Sequence, residues 1–367
     1  MAPDVSIHTA RCCPTLADLP PAPVGKHGWP WTEERQVLPA TMPGGSPWPL
    51  LTIVTPSFQQ AQFLEETIRS VLLQGYPNLE YLLIDGGSTD GSVEVIQKYS
   101  DWIAAWVSEK DRGQSHAINK GIARATGDIV AWLNSDDTYQ PGAFLSAILA
   151  LQSHPDCAVV YADGIWSDEQ GQHVQILKTA QMDARKLLTD HTYVIPQPTV
   201  FMRRTVLEAV GGLDESLHMA MDLDLWLKLA LRYKLHYIVG KPLATLRLHA
   251  SQKTQTRLLE DRLDSLTVIQ RALRDPRCPS DISSVGSRTV ARLMLDAAEI
   301  YLSERHDQRN ALRYFLSALT YRPLGTIQRS LIRLALRSYW AIIPPALQSR
   351  IRQIRGTEAG ALSALRY

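Results

Sequence analysis

From residue 50 onward the chain alternates short apolar runs with stretches of helical spacing, and this alternation constrains its fold more than any other feature. Leu51-Thr-Ile-Val54 is apolar and rich in β-branched side chains, as a buried strand is. Phe63, Leu64, Ile68, Val71 and Leu72 then recur at helical spacing. The pattern repeats at 81–84 with 93–99, at 103–107 with 115–125, and at 129–133 with a helix after Pro141. Strands that alternate with helices need crossover connections, so an α/β fold with a mainly parallel sheet is expected. Such a sheet carries its ligand beyond the carboxyl ends of its strands, and the residues just after each apolar run become the candidates for chemistry.

Those ends are polar or glycine-rich in all four cases: Thr55-Pro56-Ser57-Phe58, Asp85 to Gly91, Ser108 to Gly113, and Asn134-Ser135-Asp136-Asp137. Residues 157–253 are less regular, with a strand expected at 158–161, a proline-marked segment at 195–201, a Gly211-Gly212 turn and a helix over 221–232. This half is expected to complete the domain that starts at 50. Residues 1–49 hold a proline cluster and no period of 2 or 3.6, and read as an extended arm. Beyond 254 the chain reads as helices, at 258–273, 287–304 and 310–321, forming an accessory region.

Composition removes several classes. Lys plus Arg is 38 and Asp plus Glu is 37, so no overall positive field points to nucleic acid. Four cysteines without metal-ligand spacing suit a reducing compartment. The start, MAPDVSIHTA, lacks a signal-like basic and apolar stretch, and no run of 18 uncharged apolar residues occurs. A cytoplasmic protein without a bilayer span is expected. No G-x-G-x-x-G or G-x-x-x-x-G-K-S/T pattern occurs at the Asp85 loop, which counts against hydride transfer and P-loop hydrolysis.

Asp136 and Asp137 offer hard oxygen ligands where a strand ends, suited to Mg²⁺ or Mn²⁺ completed by water and phosphate oxygens. A polar turn with a helix cap is the alternative. At Asp85 to Gly91, small residues let a ligand approach the backbone beside a carboxylate; the alternative is a tight turn capped by Asp90. Asp222 and Asp224 open a helix, where acidic side chains also favour the dipole.

Five segments in order resemble the inverting family-2 glycosyltransferases of the GT-A fold over about 50–253. They are Thr55-Pro-Ser-Phe58, Leu83 to Gly91, Gly113 to Gly121, Ala125-Thr-Gly-Asp128 and Leu133-Asn-Ser-Asp-Asp137. The resemblance implies a Rossmann-like GT-A domain, a hexosyltransferase-type enzyme, a UDP-, GDP- or dTDP-sugar donor and a saccharide or lipid-linked acceptor. It also implies Mn²⁺ or Mg²⁺, and a product in polysaccharide or glycolipid biosynthesis. It assigns Thr55, Pro56, Ser57, Asp85, Arg112, Asn119, Asn134 and Asp136 to the donor, and Asp136, Asp137 and His249 to the metal. Asp222 becomes the catalytic base, with Asp224 in reserve. Gln197 and Trp226 are acceptor candidates, against an edge strand and a core ring as the plainer readings. The chain departs from the family pattern at Gly86 and Asn134, where aspartates are common, and at Met221, where a glutamate precedes the base. A non-catalytic scaffold of this fold and a nucleotidyltransferase are the competing readings.

Residues 308–357 contain nine arginines and no Asp, Glu or Lys. Arg329, Arg333 and Arg337 recur every fourth residue, as on a helix lying on an anionic membrane at the inner face, or on one packed against the acidic domain.

Overall fold

The computed structural model describes residues 13–189, 194–250, 252 and 256–321. The arginine triplet at 329, 333 and 337, with the rest of the tail beyond 321, lies outside the described residues. The chain divides into two compact units, 1–286 and 287–367.

In the first unit β1 (Leu51–Ser57) leads into α1 (Ala61–Leu72), β2 (Leu79–Asp85) into α2 (Ser92–Lys98), and β3 (Ala105–Ser108) into α3 (Gln114–Ile122). There follow β4 (Ile129–Trp132), β5 (Thr138–Tyr139), α4 (Ala143–Ser153), β6 (Cys157–Ala162), β7 (Gly164–Ser167) and β8 (His173–Leu177). The unit continues with α5 (Ala184–Thr189), β9 (Phe201–Arg203), α6 (Arg204–Val210), α7 (Met221–Ala230), β10 (Lys234–Ile238), β11 (Ala244–Arg247) and α8 (Leu258–Arg274).

The main sheet runs β10-β6-β9-β4-β1-β2-β3. β1 lies parallel to both β2 and β4, and β2 parallel to β3. Every residue of β1 is buried, because a strand inside a parallel sheet has helices or loops on both faces; that is why its first four residues read as an apolar, β-branched run and not as an alternation. The register sets Ser57 beside Asp85 and Asp85 beside Ser108, so three strand ends open into one place. Strand order reverses between β1 and β4, which is where an open sheet forms a crevice for ligand. The expected α/β fold with a mainly parallel sheet is what the chain adopts.

A second sheet, β5-β11-β7-β8, has no counterpart in the sequence reading. Its strands are two to five residues long, too short for period-2 alternation to register. β11 pairs antiparallel with β5 and parallel with β7, which brings late chain beside the turn after β4.

The proline-rich segment before β1 has no long element, yet Leu19, Trp31, Met42 and Trp48 are buried against the domain. Arg69 of α1, 1% exposed, donates to the carbonyls of Pro20, Pro30 and Trp31. A buried guanidinium whose donors are met by carbonyls ties this segment down. α8 lies within the first unit, and the division falls after Gly286.

α9 (Ser283–Ser303) runs into the second unit, which also holds α10 (Gln308–Tyr321). There Tyr301 and Tyr314 stack with centroids 5.5 Å apart. Among the described residues no helix is long and apolar enough to cross a membrane.

Candidate active site

The residues after β4 form a tight turn, closed by Asp137 N–H donating to the Asn134 carbonyl at 3.1 Å. Thr67 Oγ1 of α1 sits 2.9 and 2.7 Å from the carbonyl oxygens of Ser135 and Asp137 and holds the turn from below. Arg247, at the end of β11, holds it from the side. Its Nε donates to the Asp136 carbonyl at 3.1 Å, its backbone N–H to Asp137 Oδ1 at 3.1 Å, and its guanidinium reaches Glu66 at 3.2 Å. The same guanidinium lies 4.9 Å from the Phe63 ring centroid. Two residues further on, His249 packs on that ring and brings Nε2 to 2.9 Å from Asp136 Oδ2.

The two adjacent acids therefore face different ways. Asp136 meets His249, while the buried Asp137 accepts from Arg247 N–H and, at 3.3 Å, from Asn134 Nδ2. Burial and the neighbouring Asp136 charge push the Asp137 carboxyl well above the usual range. A carboxylate oxygen and an imidazole nitrogen this close are a donor set suited to Mn²⁺, and less to Mg²⁺. Among the described residues no group of three His, Cys, Asp or Glu forms a metal cage.

Asn134 is the hub of a polar network. It accepts from Gln114 Nε2 at 2.7 Å and donates to Gln197 Oε1 at 3.2 Å, while Gln197 Nε2 donates to the Trp132 carbonyl at 2.8 Å. Both ends of the Gln197 amide are thus used inside the protein.

Across the crevice, Thr55 and Pro56 are buried within β1, and Thr55 Oγ1 accepts from the Tyr81 hydroxyl at 3.1 Å. Ser57 Oγ is buried with no hydrogen-bond partner, an unmet polar atom where the strand opens into the crevice. Asp85, with no exposed surface, accepts from the N–H groups of Gly87 and Ser88 and from the hydroxyls of Ser88 and Ser108. Its carboxylate builds the loop. A carboxylate to which the sequence reading gave no role, Asp111, stands beside Gly86: a Cβ on Gly86 would lie 2.7 Å from its Oδ2 and 3.1 Å from the Phe58 ring. Phe58 itself is 58% exposed, a ring face open beside a carboxylate.

Asn119 holds Leu213 as a backbone would, accepting from its N–H at 3.1 Å and donating to its carbonyl at 2.9 Å. Gly212, at φ +69°, allows this approach, since a Cβ there would stand 3.0 Å from Asn119 Oδ1. Arg112 pairs with Glu215 at 2.5 Å.

On α7, Asp222 is half-buried and its Oδ1 accepts the Leu223 N–H at 2.7 Å. Burial, and secondarily the charge of Asp261, raise its carboxyl to about 6. Asp224 is 5% exposed and pairs with Lys228 at 2.6 Å, one turn along the same helix. Met221, at the position of the family's glutamate, sets its sulfur 2.8 Å from Ser115 Oγ. Trp226 is 2% exposed and stacks on Trp132 with centroids 5.6 Å apart, so it is a core ring and leaves no face for a sugar. The sequence placed Asp111 among the residues after the third apolar run but gave it no role, and it gave none to Arg247, because local pattern does not say which way a loop side chain turns.

The family model for glycosyl transferase family 2 matches residues 52–211. An uncharacterized glycosyltransferase of Mycobacterium tuberculosis is 30% identical over 185 residues, which is 50% of this chain and 70% of that protein. A putative teichuronic acid biosynthesis glycosyltransferase of Bacillus subtilis, TuaG, is 37% identical over 95 residues, 25% of this chain and 38% of that one. Among solved structures, S. aureus TarS 1–349 in complex with UDP-GlcNAc superposes with a TM-score of 0.57 at 16% identity, covering 73% of this chain and 81% of that chain. The mannosyltransferase PcManGT from Pyrobaculum calidifontis, in complex with GDP-Man and Mn²⁺, gives 0.52 at 19%, covering 85% and 92%. At such identities these structures speak for the fold alone. With five ordered motifs, the crevice at the strand ends and these likenesses together, the chain belongs to glycosyl transferase family 2 and has the GT-A fold.

Proposed function

We propose that this protein is an inverting glycosyltransferase that moves a sugar from a nucleotide-diphosphate donor to an acceptor hydroxyl, with Asp222 as general base. The observation that carries the reading is the 2.9 Å approach of Asp136 to His249 at the strand ends, across the crevice from an unmet Ser57 hydroxyl. Asp136 and His249 would hold a divalent cation, with Asp137 buried behind them, and the cation when bound supplies charge neutralisation for the departing diphosphate. Phe58 and Asp111 fit a base, the ring by stacking and the carboxylate by accepting an N–H. Asp85 and Asn119 act indirectly, by holding the loops around the donor.

Inversion requires one in-line displacement. The acceptor oxygen bonds to the anomeric carbon as the bond to the diphosphate breaks, and the acceptor proton passes to a carboxylate. Asp222 suits this role: with Oδ1 committed to Leu223, Oδ2 takes the proton, and a pKa of about 6 leaves the group ionised at neutral pH yet basic enough to act. Asp224, committed to Lys228, is the weaker candidate. The association of TuaG with teichuronic acid supports a saccharide acceptor, free or lipid-linked.

The test is donor turnover with UDP-, GDP- and dTDP-sugars and Mn²⁺. Asp136→Ala should lower kcat/KM by roughly 10²–10³ and weaken metal-dependent nucleotide binding. Asp222→Asn should lower kcat by about 10²–10⁴ with binding unchanged. Binding without turnover in the wild-type chain would instead mark a scaffold, and release of pyrophosphate a nucleotidyltransferase.

A further inference from the structure

α7 begins without a side-chain cap, since Ala220 occupies the position before it. Something else must fix the loop from which Asp222 enters the helix, because a base displaced by an ångström loses its hydrogen bond to the acceptor. The fixing groups lie on α8, outside the 52–211 segment that the family model matches. Asp264 Oδ2 accepts two successive backbone N–H groups of that loop, from His218 at 2.8 Å and Met219 at 2.9 Å. Arg271 Nη1 reaches Asp214 Oδ2 at 2.6 Å, at the other end of the loop. Asp214 in turn accepts from the Ser216 N–H and hydroxyl, and its carboxyl falls to about 2; burial opposes that fall, and the bonds from Ser216 and Arg271 outweigh it. Residues 264 and 271 are two turns apart and so share one face of α8, on which Val268 between them is buried.

We infer that α8 is a clamp on the loop that carries the catalytic base, with Asp264 as a positioning residue acting through the backbone of His218 and Met219, and Arg271 as the second anchor. The inference rests on the assignment of Asp222 as base. A helix outside the family-matched segment thereby sets the geometry of proton transfer.

Three variants in the full chain test this: Asp264→Ala, Asp264→Asn and Asp222→Asn. One carboxylate oxygen accepts both N–H groups, so an asparagine carbonyl can take its place. Asp264→Ala should lower kcat by about tenfold to a hundredfold, leave the donor KM within about twofold, and speed hydrogen exchange at the amides of 218 and 219. Asp264→Asn should recover most of the lost kcat and the amide protection. A merely structural role for Asp264 would appear as a lower melting temperature with kcat unchanged below the melt, and would overturn the inference while Asp222→Asn stays inactive. Full turnover in Asp222→Asn would overturn the base assignment, and the clamp's catalytic role with it.

Discussion

Asp222 is held where two demands conflict: burial disfavours its charge, and proton transfer needs that charge. Its carboxyl sits at about 6, above the ordinary aspartate range, so its ionisation costs the native state stability as pH rises from that range to about 6, and the cost is constant above it. The sign follows. Asp222→Asn should melt higher than wild type at pH 8, and the gain should shrink as pH falls below about 6 and vanish at about pH 4, the ordinary aspartate value; scanning calorimetry at pH 8 and at about pH 4 checks it. Activity should move the opposite way, with wild-type kcat/KM falling below pH 6 as the base is protonated. At Gly86 the relevant constraint is space and like charge. Gly86→Asp would push a second carboxylate against Asp111, 2.7 Å from the new Cβ, so nucleotide affinity should fall by about tenfold or more. Asp111→Ala in the same chain should restore most of it, read by titration calorimetry with UDP and GDP.

Among the elements, β11 and α8 do what no single residue could. β11 is four residues long, yet its pairing with β5 places Arg247 and His249 against the turn after β4. α8 supplies loop anchors and also a charge: Asp261 raises the Asp222 carboxyl, while its own partner Arg262, at 2.6 Å, offsets part of that charge. Asp261→Asn should therefore move the acid limb of the kcat/KM profile to lower pH, with the neutral-pH rate within about threefold. An unmoved limb would show that the Asp261 charge is screened at the base.

Over the whole molecule, charge is segregated. The nine arginines of 308–357 leave 29 bases against 37 acids in the rest of the chain. On α10, Leu312 and Leu316 are exposed at 56% and 51%, and Arg309 and Arg313 lie on the same helix. We propose that these residues meet an anionic bilayer, where apolar side chains would enter the interface and each arginine would contribute about 1 kcal/mol. The 367-residue chain should co-sediment with vesicles containing phosphatidylserine and not with neutral ones. Arg309→Ala with Arg313→Ala should weaken this by about thirtyfold, and salt should do the same. Equal binding to neutral vesicles, or none to either, would remove the membrane from the account.

How much was legible in advance differs by region. The apolar runs at 51–54, 81–84 and 129–133 were readable because burial on both faces favours short apolar, β-branched stretches, and the polar residues expected just beyond them at 55–57 and 85 prove to be the last residues of β1 and β2. The sequence by itself determined the α/β class and the parallel strands of the main sheet, and it pointed to the carboxylates at 136 and 222 as candidates. Only the tertiary structure decided which of two adjacent acids meets His249, that Trp226 is core, and that Asp111 stands where Gly86 leaves room. Pairings of that kind join residues up to 113 positions apart, and they depend on short strands and loop backbones whose patterns are too brief for any periodicity to reveal.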